Sequence, residues 1–251
     1  MKAFLADSAK MLTGHLVASF LGAIFSILVT RWLDPSDRGL FAIITTSVGL
    51  IGLIFSLGLP GALVYLCSIY PKNLVASSIY SAILIILIFA LPSTMLASQL
   101  LTDASLILSV ITVALIALNI LNSFQKHILI ALKKFGLYQI FGILESAAIL
   151  GLIIIAKKKG FFGLEALLYL YCLTQFSLFL SLHLTNLREY KDETPNYQVV
   201  KVGIRHGIPL MFSGLRGFLN QRILIYIIGS NHSLYAGGLF AAAMTAPSLF
   251  M

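Results

Sequence analysis

The sequence has little charge. Only 10% of its 251 residues are Asp, Glu, Lys or Arg, whereas a soluble domain carries about 25%. Its two cysteines, Cys67 and Cys172, lie in apolar stretches and give neither a disulfide framework nor a metal-ligand spacing. No glycine-rich phosphate loop follows a strand pattern, which excludes the common soluble nucleotide-binding folds. With 59% hydrophobic residues and a mean hydropathy of +0.98, the chain is predicted to be an integral membrane protein.

The apolar residues form long blocks of the length that a membrane-spanning helix needs, about 20 residues. These blocks lack the strict alternation of a transmembrane β-barrel. The sequence therefore predicts an all-α, polytopic membrane protein with about eight transmembrane helices. The predicted spans are residues 11–33, 39–59, 74–98, 104–125, 136–156, 161–186, 207–229 and 236–251.

The distribution of Lys and Arg predicts a cytoplasmic N-terminus. With that orientation, ten of these residues fall in inside segments and five in outside segments. The triple-lysine cluster, residues 157–159, lies outside and runs against the rule. The alternative is that the fifth and sixth spans are drawn wrongly.

One long polar stretch, residues 187–206, interrupts the apolar blocks. We interpret it as a solvated cytoplasmic linker rather than a binding element. It separates an N-terminal six-helix lobe, residues 1–186, from the first two helices of a second lobe, residues 207–251.

An internal repeat supports this division. A shift of 199 residues places residues 39–42 (GLFA) on residues 238–241 (GLFA), and six of the thirteen positions in residues 39–51 are then identical. Because the second copy starts six helices after the first, the two copies have the same orientation, as in a parallel repeat. A complete second lobe would need about four more helices, so we expect the chain to end within that lobe. The alternative is an eight-helix protein with a diverged second half.

The seventh span carries two arginines near its middle. Ser213, Arg216 and Asn220 are spaced to share one helix face, whereas Arg222 lies about 120° further round. A guanidinium keeps its proton and binds phosphate oxygens in a bidentate manner, so this face is a candidate binding site for a phosphate-bearing anion or its sugar. The alternatives are that Arg216 pairs with Glu145 and that Arg222 extends toward the membrane surface.

Other polar residues at membrane depth are few. Glu145 in the fifth span could couple transport to an ion, pair with Arg216 or remain protonated against neighbouring helices. His15 in the first span is expected to form a hydrogen bond to a neighbouring helix rather than act as a titrating switch. Asn119 and Asn122 are expected to join helices rather than line a cavity.

Two prolines are candidate hinges. Pro60, within Gly-Leu-Pro-Gly at residues 58–61, stands where the second span should end or bend, and Pro209 lies in the seventh span. In contrast, nothing in the sequence forms a catalytic set. The five histidines have no ligand spacing, and there is no paired-carboxylate motif or nucleophile elbow. We therefore expect no enzyme activity, no metal and no cofactor.

Several segments resemble the polysaccharide flippases, the Wzx-type translocases of the multidrug/oligosaccharidyl-lipid/polysaccharide (MOP) exporter superfamily. Residues 30–42 (TRWLDPSDRGLFA) are similar to the junction of their first two helices, and residues 58–62 (GLPGA) to the break in their second. Residues 207–210 (GIPL) and 220–222 (NQR) resemble their seventh helix, and residues 234–241 (LYAGGLFA) the start of their eighth.

This resemblance implies a MATE-like fold of two lobes, the second incomplete in this chain. It implies movement of an undecaprenyl-pyrophosphate-linked oligosaccharide, an O-antigen or exopolysaccharide repeat unit, across the bacterial cytoplasmic (inner) membrane. The partners implied are this lipid-linked substrate, the phospholipid bilayer, a coupling proton or sodium ion, and a polysaccharide polymerase with its chain-length regulator. Nucleic acid is not among them.

Two other functions are considered. A cation-coupled multidrug exporter of the same superfamily should carry acidic cavity residues for cationic drugs, whereas this sequence has arginines and one deep carboxylate. A membrane enzyme of envelope polysaccharide assembly should carry a large polar periplasmic loop, and no loop is long enough. A scaffold subunit would not need Arg216.

Overall fold

The computed structural model describes residues 2–102, 106–187, 194–231 and 233–248. Helix makes up 91% of it, and the described residues contain no strand, so the all-α prediction is confirmed. The helices within these residues are α1 Lys2–Trp32, α2 Pro35–Phe55, α3 Leu59–Ile69, α4 Lys72–Thr102, α5 Leu106–Ala131, α6 Phe135–Lys158, α7 Leu164–Asn186, α8 Tyr197–Asn231 and α9 Leu234–Ser248.

Among the residues that the structure describes, five helical stretches are long and apolar enough to cross a membrane. They are Met11–Trp32, Pro35–Ile69, Ile107–Ala131, Phe135–Lys158 and Leu164–Asn186. Helix α8 is not among them, and it carries four basic residues along its length. These stretches support a multi-pass membrane protein.

The second predicted span is divided where its glycines and proline stand. Helix α2 ends at Phe55, and Leu57 and Gly58 adopt left-handed backbone conformations with φ of 49° and 67°. Pro60 then occupies the first turn of α3, where its missing N–H costs no hydrogen bond. The break beside Pro60 is confirmed, and the movement of a hinge there stays a prediction.

Helix α8 begins at Tyr197, within the stretch predicted to be a linker, and runs without interruption through Pro209. Residues 197–206 are therefore helical. The prediction missed this start because a span was defined by its apolar residues alone. Residues 188–193 lie outside the described residues, and the division into lobes stays a prediction.

Helix boundaries agree with the internal repeat. Helix α1 ends at Trp32 and α8 at Asn231, while α2 begins at Pro35 and α9 at Leu234. Each boundary in the second copy stands 199 residues after its counterpart. The end of one helix and the start of the next are thus repeated at the same spacing.

The chain forms two compact units. The first contains residues 1–47, 135–174 and 220–251, and the second contains residues 48–134 and 175–219. Helices α2, α7 and α8 contribute residues to both.

In the first unit, α1 and α6 pack in parallel. At one end the Gln139 amide donates a 3.0 Å hydrogen bond to the Met11 carbonyl oxygen. At the other end Val29 and Leu33 lie in one apolar core with Ile153. Parallel packing is what the predicted alternation requires of the first and fifth spans.

The triple-lysine cluster stands at the end of α6, beside the end of α1. The Lys157 Nζ lies 5.9 Å from the centroid of the Trp32 ring and 5.6 Å from that of Phe162. These two rings are themselves packed edge to face at 5.4 Å. The fifth span therefore ends where the sequence predicted, so the cluster does not arise from a misplaced helix.

The two copies of the repeat touch each other in the first unit. A Cβ atom added at Gly39 would overlap the Leu234 carbonyl oxygen, and one added at Gly238 would overlap the Pro35 carbonyl oxygen. Pro35 and Leu234 are equivalent positions, as are Gly39 and Gly238. The contact is therefore reciprocal, as in an isologous interface.

In the second unit, α8 packs antiparallel to α2 and α3 through glycines. Gly207 lies so close to Leu57 and Gly58 that a Cβ atom on it would overlap the Leu57 carbonyl oxygen. Further along α8, a Cβ at Gly214 would lie 3.1 Å from the Leu53 side chain. The close approach of the two backbones at Gly207 is possible only without a side chain.

Buried amides join α5 to α7 in the same unit. The Asn122 amide donates to the carbonyl and side-chain oxygens of Gln175, at 3.0 and 2.8 Å. The Asn186 amide donates likewise to Gln125, at 3.2 and 2.8 Å. Asn122 is thus a residue that joins helices, as the sequence predicted.

Replacement of Asn186 by leucine is expected to lower the free energy of unfolding by about 1–2 kcal/mol, because two buried acceptors of Gln125 would lose their donor. The measurement is the thermal midpoint of the purified protein in detergent. Ser181→Ala, on an exposed part of the same helix, is the control. Equal midpoints for Asn186→Leu and the wild type would contradict this account.

Candidate functional site

Helix α8 has one packed face and one exposed face. Val199, Gly203 and Gly207 are buried, at intervals of four residues. Arg216 follows Gly207 by nine residues, which is two and a half turns of helix, so it points away from the packed face. The packing of α8 on α2 and α3 therefore fixes the direction of Arg216.

The four residues predicted to bind substrate are all exposed on α8. Ser213, Arg216 and Asn220 lie on one face, because the helix is continuous through them. Arg222 lies about 120° away around the axis. The structure thus places three of these side chains in one row, and their binding role stays a prediction.

Glu145 and His15 both belong to the first unit, on α6 and α1. His15 is exposed on α1, next to Gly14, which contacts Gln139 of α6. Glu145 lies six residues beyond Gln139, or about 9 Å along the helix axis. Glu145 and His15 therefore lie at different heights along the axis of α6. Their coupling or structural roles stay predictions.

The first copy of the repeat provides an internal comparison for the arginines. With the 199-residue shift, Arg216 corresponds to Val17 of α1, and Arg222 corresponds to Ala23. Helix α1 forms without a cation at either position. The two arginines therefore distinguish the second copy from the first.

Two exposed cations that the predicted site did not include continue the same face of α8. Lys201 and Arg205 lie one turn apart, and Arg216 follows Arg205 by eleven residues, close to three full turns. The sequence signal for this alignment is the spacing of the three residues: four from Lys201 to Arg205 and eleven from Arg205 to Arg216, both close to whole turns of a helix. The sequence prediction includes both in the linker, because it starts the helix at residue 207.

The chemistry of the row suits an anion. Arginine offers several N–H donors in a planar fork, and Ser213 and Asn220 add neutral donors on either side of Arg216. Within the residues searched, no three His, Cys, Asp or Glu side chains are grouped to hold a metal ion.

The fold matches solved transporters of the MOP superfamily. An outward-facing multidrug resistance MATE family transporter of that superfamily matches with a TM-score of 0.70 and 16% identity, over 99% of this chain and 64% of that chain. A MATE structure in the straight conformation matches with a TM-score of 0.68 and 18% identity, over 99% and 64%. A MOP superfamily transporter from Pyrococcus furiosus, described as having a binding pocket of reverse polarity that suggests a different function, matches with 0.64 and 18%, over 99% and 63%.

The predicted MATE-like fold is confirmed by these matches. The chain spans 64% of the length of the first two transporters. No match to a curated protein was found. The sequence model of one family, described as "Polysaccharide biosynthesis protein", matches residues 4–249. Because this match covers nearly the whole chain, the protein belongs to that polysaccharide biosynthesis family.

Proposed function

We propose that the protein translocates an undecaprenyl-pyrophosphate-linked oligosaccharide, an O-antigen or exopolysaccharide repeat unit, across the bacterial inner membrane by alternating access. The observation that carries the proposal is the row of Ser213, Arg216 and Asn220 on the exposed face of α8. It stands on a MATE-like fold in a chain of the polysaccharide biosynthesis family.

The physical reason lies in the headgroup of such a lipid. A pyrophosphate carries several negative charges, and its transfer into hydrocarbon is far more costly than that of a polyprenyl tail. A fixed guanidinium offsets this loss of hydration through charge-assisted hydrogen bonds. The tail can remain in the bilayer while the headgroup crosses beside the protein.

A multidrug exporter of the same superfamily is the second candidate, because most of the matched structures are MATE proteins. The charge of helix α8 argues against this candidate, because its four charged residues are all basic and would repel a cationic drug. The Pyrococcus furiosus transporter, with its pocket of reverse polarity, suggests that this fold accommodates a change in pocket charge.

The proposal includes a coupling proton or sodium ion, with Glu145 as the candidate carrier, and supply of the product to a polysaccharide polymerase and its chain-length regulator. It requires the N-terminus to face the cytoplasm, where the lipid-linked substrate is assembled. The protein then acts as a carrier, not as an enzyme.

The test is a mass-spectrometric lipid profile of cells that lack the gene but keep their glycosyltransferases. We expect the complete lipid-linked repeat unit to accumulate unpolymerised, and the wild-type gene on a plasmid to reverse this. An unchanged profile together with altered sensitivity to cationic drugs would favour the exporter. Accumulation of a precursor that lacks a sugar or a modification would indicate an enzyme.

A further inference from the structure

The face of α8 that carries Arg216 has a second basic position near the start of the helix. Lys201 and Arg205 are four residues apart, so their side chains are neighbours on the surface. Arg205 and Arg216 differ by about 20° around the axis and about 16 Å along it. All three side chains are exposed.

The orientation of this end of α8 is fixed by its packing. A Cβ atom at Gly203 would lie 3.0–3.3 Å from the side chains of Leu59, Leu66 and Ile79, so α8 packs closely on them at this point. The His206 ring packs at a tilt of 43° against that of Tyr65 of α3, with the ring centroids 4.1 Å apart. Lys201 and Arg205 are therefore held on the side away from α3.

Two features of the sequence set these cations apart from an ordinary helix surface. Helix α8 has no Asp or Glu, so no partner on the same helix neutralises Lys201 or Arg205. In the first copy of the repeat, Lys2 corresponds to Lys201, whereas Ala6 stands where the second copy has Arg205. The basic pair, like Arg216, is a feature of the second copy.

We propose that Lys201 and Arg205 form a first diphosphate-binding station, from which the headgroup of the lipid-linked substrate passes along α8 to Arg216. This inference rests on the proposed function. A diphosphate offers oxygens on two phosphorus atoms, and a lysine and an arginine one turn apart can each bind one phosphate. A similar anion is present in phospholipid headgroups, so selectivity for the diphosphate has to be tested.

The experiment measures binding of undecaprenyl diphosphate to the purified full chain in nanodiscs of zwitterionic lipid. We expect the Lys201→Ala/Arg205→Ala double variant to bind it about tenfold more weakly or worse. Arg205→Lys keeps the charge and should recover much of the affinity. Lys158→Ala, which removes an exposed positive charge from the end of α6, should bind as the wild type does, and the thermal midpoint of each protein checks its folding.

A second arm uses anionic vesicles of phosphatidylglycerol without the polyprenyl diphosphate. A loss of diphosphate binding with unchanged vesicle binding supports the station. Equal loss in both arms would show a membrane-surface anchor and overturn it. If the double variant binds the diphosphate normally while Arg216→Val does not, the station is overturned and the proposed function stands. If the wild type itself does not bind the diphosphate, the proposed function fails as well.

Discussion

Replacement of Gly207 by alanine is expected to destabilise the protein by about 2–4 kcal/mol, although alanine is the better helix former by about 1 kcal/mol. The added Cβ atom would overlap the Leu57 carbonyl oxygen and lie 3.0 Å from the carbonyl carbon of Gly58. Backbone atoms cannot move aside as a flexible side chain can, so α8 would have to separate from the break between α2 and α3. The measurement is the thermal midpoint in detergent, with the yield of monodisperse protein.

The same helix supplies a matched control. Gly217 has nothing within 4 Å of the position that a Cβ atom would occupy. Gly217→Ala should therefore leave the midpoint unchanged or raise it slightly. Because both substitutions change helix propensity alike, the difference between them isolates the backbone contact. Equal midpoints for the two variants would refute the close packing of α8 at Gly207.

Replacement of Arg216 by valine is expected to reduce translocation about 10- to 100-fold, the value of one bidentate, charge-assisted contact to a phosphate. Valine is the residue that the first copy of the repeat has at this position, so the helix should form and insert normally. The measurement is the amount of surface polysaccharide in a deletion strain carrying the variant, relative to the amount of protein in the membrane.

Two further variants distinguish binding from folding. Arg216→Lys keeps the charge but loses the planar fork, so intermediate activity is expected. Arg31→Ala removes an exposed cation from the end of α1 and should leave activity at the wild-type level. Wild-type translocation by Arg216→Val at normal membrane abundance would remove Arg216 from the substrate path.

Much of the fold could be predicted because the relevant signals are local. Apolar blocks of sufficient length gave the helices, and the glycines and Pro60 marked the break after α2. The spacing of Ser213, Arg216 and Asn220 placed them on one face without knowledge of any neighbour. The separate helix α3 and the early start of α8 were missed. An apolar run does not show where one helix ends, and a polar first segment hides the start of a helix that continues into an apolar stretch.

The contacts between distant segments could not be predicted. Asn186 and Gln125 are 61 residues apart, and nothing in either neighbourhood specifies the other. In the sequence, Gly207 is a small residue near a proline with no further distinguishing feature. Only its contact with Gly58 in the structure shows that a side chain at this position would not fit. Lys201 and Arg205 were visible as charges, but their relation to Arg216 depends on one continuous helix.

The reciprocal contact of Gly39 and Gly238 limits how far the two copies of the repeat can differ in sequence. The segments that still share GLFA, residues 39–42 and 238–241, are those that begin at the point where the copies touch. A surface that fits its own duplicate restrains drift in both, because a larger residue in either copy strikes the backbone of the other. Arg216 and Arg222 lie away from that junction, at positions where α1 has Val17 and Ala23, so the difference in charge between the copies leaves their shared contact intact.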